Sequence, residues 1–190
     1  MHWKWGTPLT LETKNYVAKS IDPNNLPEQL IDWFADAELL EFVIENVGQS
    51  REQLEKKFAR FNNKSLFALI IYARDIKQPI GLLRIHIEYP NSRAETSIII
   101  GNRDYWGKNV VVEVRERMMR FLFTGVKINK ISGTVRARNF PALFNYIKQG
   151  FRKEGILKQQ VKGSDGAFED VVLFGLLKSE WEAQRDRAHG

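Results

Sequence analysis

Cysteine is absent from this 190-residue sequence. That excludes disulfides, cysteine-ligated zinc and a cysteine nucleophile together, and it agrees with a reducing cytosol. Long apolar runs are also missing: the longest, such as 66–73, are far too short to span a bilayer. The opening Met1-His2-Trp3-Lys4-Trp5-Gly6 leads into no apolar segment, so no signal peptide is expected. Internal repeats, low-complexity stretches and blocks of five like charges are absent as well. These absences predict a soluble cytoplasmic protein with no membrane partner and no bound metal.

What is present is an ordinary globular composition with a basic balance. Hydrophobic residues make up 43% and charged residues 27% of the chain, enough apolar content for one core, so a single domain over 1–190 is expected. The formal charge of +6 favours anionic partners. Over 51–57 and 115–117, however, cations alternate with acids, as on a solvated surface. No string of interleaved basic and aromatic residues supports nucleic-acid binding. A phosphate-bearing small ligand is the main alternative to a surface that is merely soluble.

Local patterns predict the elements. A short strand is expected near 7–11, and Pro23, Asn24, Asn25 and Pro27 mark a turn. From Glu28 apolar residues recur at helical spacing through Leu30, Ile31 and Phe34, and again through Leu39, Leu40, Val43 and Ile44 after a break. Ser50 and Gln53 form a capping box ahead of Leu54, Phe58 and Phe61. Strands are predicted at 66–74, 80–88 and 94–100, with turns at Lys77-Gln78-Pro79 and Tyr89-Pro90-Asn91-Ser92. Val110, Val114, Met118, Phe121 and Leu122 share one helix face, and Gly125 is expected to end that helix. A strand at 129–135 and a helix at 140–149 follow, with Asn139 as cap, Pro141 in the first turn and Gly150 beyond the end. Strands at 151–161 and 169–177 close around Gly163-Ser164-Asp165-Gly166. The polar tail is expected to fray after Trp181. The order predicts an α+β (mixed α/β) domain.

Three strings in register resemble the GCN5-related N-acetyltransferase (GNAT) superfamily, in the branch of ribosomal-protein alanine N-acetyltransferases (the RimJ/RimL type). The first is Ala94-Glu95-Thr96-Ser97-Ile98-Ile99-Ile100-Gly101 followed by Asp104-Tyr105-Trp106-Gly107-Lys108. The second is Ala137-Arg138-Asn139 with Ala142, Tyr146, Lys148, Gly150 and Phe151. The third is Asp165-Gly166, Asp170-Val171-Val172, Gly175-Leu176-Leu177 and Glu180-Trp181. The likeness covers roughly 66–181. It implies a central, mostly antiparallel sheet splayed in its middle, with helices on both faces and acetyl-coenzyme A as co-substrate.

The resemblance also implies roles. The turn Trp106, Gly107, Lys108, Asn109, Val110 and Val111 would cradle the coenzyme A pyrophosphate at a helix N-terminus, where free N–H groups and a partial positive charge suit an anion. Ile99 and Ile100 would line the slot for the pantetheine arm, and Asn139 would bond that arm besides capping its helix. The sequence departs from the family where Asn109 and Val111 replace the usual glycines. Asn tolerates the left-handed region best after glycine. Val111 either lies in a helix already begun and points inward, or it crowds the pyrophosphate.

The implied reaction is N-acetyl transfer from the thioester to a primary amine, on a small molecule or a protein N-terminus, by direct attack. Tyr146 would be the general acid for the leaving thiolate, unless it is only a core aromatic. A backbone N–H around Ile99 would face the oxyanion. Glu95 is the candidate base, with His86 and Glu88 as alternatives; each has a plain surface or packing reading beside it. Trp33, Phe34, Phe42 and Phe168 are candidate pocket aromatics. Trp3 and Trp5 would cover either an apolar patch or a homodimer surface. The alternative function is a catalytically weak acyl-CoA-binding or regulatory domain on the same fold, motivated by Asn109 and Val111.

Overall fold

The computed structural model describes residues 3–43 and 45–189, with side chains to residue 187. Eight strands form one sheet in the order β1-β2-β3-β4-β5-β6-β8-β7. They are β1 (Thr10–Glu12), β2 (Tyr16–Ser20), β3 (Leu66–Ala73), β4 (Pro79–Glu88), β5 (Arg93–Ile100), β6 (Lys130–Arg136), β7 (Arg152–Lys162) and β8 (Phe168–Leu177). Five helices accompany them: α1 (Glu28–Ala35), α2 (Arg51–Phe58), α3 (Val110–Arg120), α4 (Phe140–Lys148) and α5 (Lys178–His189). The architecture is α+β with a mostly antiparallel sheet.

Side chains alternate across each strand, and two apolar clusters on opposite faces show the result. Phe67, Leu69 and Ile71 of β3 join Leu83, Ile85, Val114 and Met118 under α3. Ala68 and Ile70 of the same strand join Leu82, Ile99, Leu30, Phe34, Leu54 and Phe58 under α1 and α2. A strand covered on both faces needs a continuous apolar run, which is why 66–73 reads as unbroken hydrophobic sequence. Trp3 packs on Phe67 and Phe121 and closes the first cluster, whereas Trp5 is mostly exposed.

Several local expectations hold. Ser50 accepts from the Gln53 amide and the Gln53 side chain accepts from Ser50, the reciprocal capping box. Asn139 caps α4 by accepting from the Ala142 amide at 3.1 Å. Four expectations need correction. Leu39, Leu40 and Val43 lie in turns rather than a helix, because Leu39 and Leu40 are buried by the second cluster without a helical backbone; Ile44 is outside the described residues. β2 was not foreseen; its short segment is held by pairing with both β1 and β3. α3 is not ended by Gly125: it runs into a π-helical turn, Phe121–Val126, closed by Lys127 at φ 65°. The tail does not fray after Trp181, since that buried indole anchors α5 against Phe123.

Candidate active site

β5 and β6 run parallel and pair over three rungs only: Arg93 with Lys130, Ala94 with Ile131, Glu95 with Ser132. Beyond that point β5 stays with β4 as far as Ile100, and β6 stays with β8 as far as Arg136. The sheet therefore opens into a V between Thr96–Ile100 and Gly133–Arg136. A cleft of about 210 Å³ occupies it, lined by both strands, by Asn139, Ala142 and Tyr146 of the α4 region, by Arg115 of α3 and by Phe42 and Val43.

Backbone polarity sets what β5 offers to this cleft. The Ala94 and Thr96 carbonyls accept from Ser132 and Tyr146, and the Ile100 carbonyl accepts from the Trp106 indole at 2.9 Å. In an antiparallel strand the N–H and C=O of one residue face the same side. The amides of Ile98 and Ile100 thus point to the β6 side, where Ile98 lines the cleft and Ile100 does not, while that of Ile99 belongs to the ladder with β4. The oxyanion donor expected around Ile99 therefore falls to its neighbour Ile98. The Ile99 side chain itself lines the cleft and packs in the α1/α2 cluster.

Tyr146 stands at the opening of the V. Its ring stacks on Phe174 at 5.0 Å and meets Phe151 edge-on at 4.9 Å. Its hydroxyl donates to the Thr96 carbonyl at 3.4 Å, a long bond that is easily redirected. Gly133 makes room for it, since a Cβ there would lie 2.1 Å from that hydroxyl. Two residues earlier on α4 and so on the opposite side of the helix, Phe144 points to solvent, and the helix turns Tyr146 inward and leaves Phe140, Phe144 and Ile147 exposed.

Arg115 completes the site and corrects the expectation of a solvated surface over 115–117, because the turn of α3 carries its side chain inward under α4. It is 4% exposed, lies with its guanidinium carbon 4.1 Å from the Tyr146 ring centre and donates to Gln149 at 2.9 Å. Burial lowers its pKa from the usual guanidinium value, partly opposed by Tyr146, yet a guanidinium stays charged.

The segment expected to hold a pyrophosphate leads into the N-terminus of α3. Asn109 takes the left-handed conformation, φ 59° and ψ 16°, that a glycine would otherwise supply. The helix starts at Val110, whose side chain is buried, and Val111 is half-buried in its first turn. The first amide there to find a helical acceptor is that of Glu113, which donates to the Asn109 carbonyl at 3.0 Å. The preceding amides are left for a ligand. The loop is braced from outside: Tyr16 donates to the Lys108 carbonyl at 2.9 Å, and Glu113 accepts from Asn15. Tyr105 donates to Asp75 at 2.7 Å, which pushes its phenol up to about 12. Gly107 sits at φ 75°, and the Lys108 ammonium rests over the Tyr105 ring. These residues fit a pyrophosphate, and Val111 does not obstruct it by backbone geometry.

Glu95 lies at the last shared rung, opposite His86 on β4. It is exposed, on the α1/α2 face and outside the cleft lining. Of the pocket aromatics, Phe42 lines the cleft. Trp33 and Phe34 are core residues, and Phe168 is exposed at the far end of its hairpin. The Phe42 segment is tied down by Glu45, which pairs with Arg84 of β4 and Lys57 of α2. Burial opposes the charge on Glu45, but Arg84 and Lys57 outweigh it and hold the carboxyl below its usual range.

The comparisons with known proteins agree with this geometry. An N-acetyltransferase of Bacillus licheniformis, named p20 and described as uncharacterized, is 27% identical over 183 residues, 90% of this chain and 98% of that protein. The spermidine N-acetyltransferase of Vibrio cholerae, solved with CoA and spermine, superposes with a TM-score of 0.80 at 22% identity, covering 88% of this chain and 98% of that one. The ribosomal-protein-S5-alanine acetyltransferase of Vibrio fischeri superposes with a TM-score of 0.77 at 16% identity, covering 91% and 98%. At those identities the two structures share the fold. Residues 20–152, more than half of the sequence, match the family described as acetyltransferase (GNAT) domain. With its splayed sheet and its helix-terminal loop, the chain belongs to that acetyltransferase family.

Proposed function

We propose that the protein transfers an acetyl group from acetyl-coenzyme A to a primary amine, with Tyr146 as general acid. The observation that carries this reading is the buried Tyr146 hydroxyl at the point where β5 and β6 part. Bound acetyl-coenzyme A would supply an activated thioester carbonyl. The loop Trp106, Gly107, Lys108, Asn109, Val110 and Val111 would hold its pyrophosphate, and β5 with Asn139 its pantetheine arm. Attack forms the amide C–N bond and breaks the C–S bond. Tyr146 would give a proton to the departing sulfur, and the proton lost by the amine would pass to water, and through water to Glu95 outside the cleft lining. The amide of Ile98, in the cleft lining, would be the donor to the developing oxyanion. The likeness to the S5-alanine enzyme supports placing the chain in the RimJ/RimL-like branch.

Calorimetric titration with acetyl-coenzyme A, with ADP as control, tests the first half, and thiol release with amines tests the second. Tyr146→Phe should lower kcat by about tenfold to a hundredfold and leave cofactor affinity nearly unchanged. Equal turnover would show that Tyr146 is not the acid. Saturable binding without thiol release from any amine would favour the alternative, a binding or regulatory domain on this fold.

A further inference from the structure

The wall of the cleft on the α1/α2 face carries two arginines and no acid. Arg136, the last residue of β6, has a side chain only 10% exposed, and its Nε has no hydrogen-bond partner. Its nearest carboxylate oxygen, Oε2 of Glu169, is 3.7 Å from Nη1, beyond hydrogen-bond reach. The other Glu169 oxygen accepts from Arg138 at 2.6 Å. Arg84 lines the same cleft; its Nε donates to Ser97 and its Nη1 pairs with Glu45. Both acids stand behind their arginines rather than in the lining.

A buried guanidinium with an unused donor is costly unless a partner completes it. The Arg136 Nε is enclosed, but its Nη groups make no hydrogen bond either among the described residues, so an anion in the cleft would reach those, and the planar donor fork suits carboxylate and phosphate alike. Charge points the same way from the amine side. An ammonium is repelled by Arg84, Arg136 and the Arg115 cation beyond them, which favours the neutral amine that attacks. The same field disfavours binding unless the molecule carries a compensating negative group.

We infer that the acceptor is a primary amine that also bears an anionic group, a carboxylate or a phosphate monoester, seated on Arg136 and flanked by Arg84. This rests on the amine-acetylation reading above. It separates the chain from its spermidine-acetylating structural neighbour, whose polycationic ligand this wall would repel.

The test uses the full chain loaded with coenzyme A, four probes on one 2-aminoethyl scaffold (β-alanine, O-phosphoethanolamine, β-alaninamide and ethanolamine) and spermidine. Calorimetry should show at least one anionic probe binding about ten- to a hundredfold more tightly than its neutral counterpart, with spermidine weakest. The carboxylate and phosphate arms tell the two sources apart. Arg136→Met should erase that gap and Arg136→Lys should keep most of it. Equal binding of neutral or polycationic probes, a gap that survives Arg136→Met, or no binding by any probe at millimolar concentration overturns the inference. The wild-type comparison stands even if the methionine variant misfolds. Parallel thiol-release assays with acetyl-coenzyme A separate the two readings. Anion-dependent binding without thiol release leaves the anion seat standing and removes the acetyl transfer. Equal thiol release from ethanolamine or spermidine does the reverse.

Discussion

Arg115 holds its guanidinium carbon 4.1 Å from the centre of the Tyr146 ring and donates to the Gln149 side chain at 2.9 Å. A cation over an aromatic face gains from the ring quadrupole, but this one is buried, and its Nε is unpaired. The arrangement stabilises the fold little, because desolvation of the charge offsets much of what the contact contributes. In the proposed mechanism a nearby cation would support negative charge appearing on Tyr146 or on the departing sulfur.

Arg115→Met is therefore expected to leave stability within about 1 kcal/mol of the wild type while lowering kcat about tenfold. Chemical denaturation beside steady-state kinetics checks this. Loss of stability and activity together would mark Arg115 as a packing residue.

Gly133→Ala tests the fit of the tyrosine. The added Cβ would stand 2.1 Å from the hydroxyl and 2.6 Å from the ring carbon that bears it, so Tyr146 must move. Overpacking at such a site costs about 1 to 3 kcal/mol, and turnover should fall with it. A variant of unchanged Tm and full activity would show that Tyr146 has freedom that its stacking on Phe174 and Phe151 denies it.

Asn109 already occupies the left-handed region, and α3 already starts at the next residue. Replacing it by glycine should change coenzyme A affinity less than twofold, since the usual preference of asparagine over most residues for this region leaves little strain to relieve. Asn109→Ala should cost about 1 kcal/mol in stability and weaken the cofactor. A large gain in affinity with glycine would mean that the Asn109 side chain, rather than the backbone, obstructs the pyrophosphate.

Glu45 joins the cleft-covering segment to β4 and α2 through Arg84 and Lys57. Its carboxyl titrates lower in the folded protein than in the unfolded chain. Its contribution is thus complete above the ordinary glutamate pKa of about 4.3. It is lost as pH falls below that value and through the lowered folded one. Glu45→Gln should be less stable by about 1 to 3 kcal/mol at neutral pH, and the difference should shrink on acidification below about pH 4. Denaturant melts of both proteins across pH 3 to 7 measure it; a gap constant with pH would exclude the ion pairs as its source.

How much was legible follows from where each signal lies. The Ser50–Gln53 capping box, the Asn139 cap, the β3–β4 hairpin and the helical face of α3 are local. Their spacing dictates hydrogen bonds a few residues apart, and the structure contains them. The turn that opens α3 is legible for the same reason, since its left-handed Asn109 and the helix start at Val110 come from consecutive residues. β2, the π-helical turn and α5 were not, because each is held by residues far along the chain: β3 beside β2, and Phe123 under Trp181.

The sequence by itself determined the α+β class, the order of most elements and the loop that opens α3, because periodicity, caps and turns act over one or two turns of chain. Only the tertiary structure decided that β5 and β6 part after Glu95 and Ser132, that Gly133 admits Tyr146, that Arg115 backs it, and that Arg136 lines the cleft. Those facts join residues 96, 115, 133, 136 and 146 across the sheet, and nothing in their sequence spacing encodes a contact that arises only when strands and helices pack.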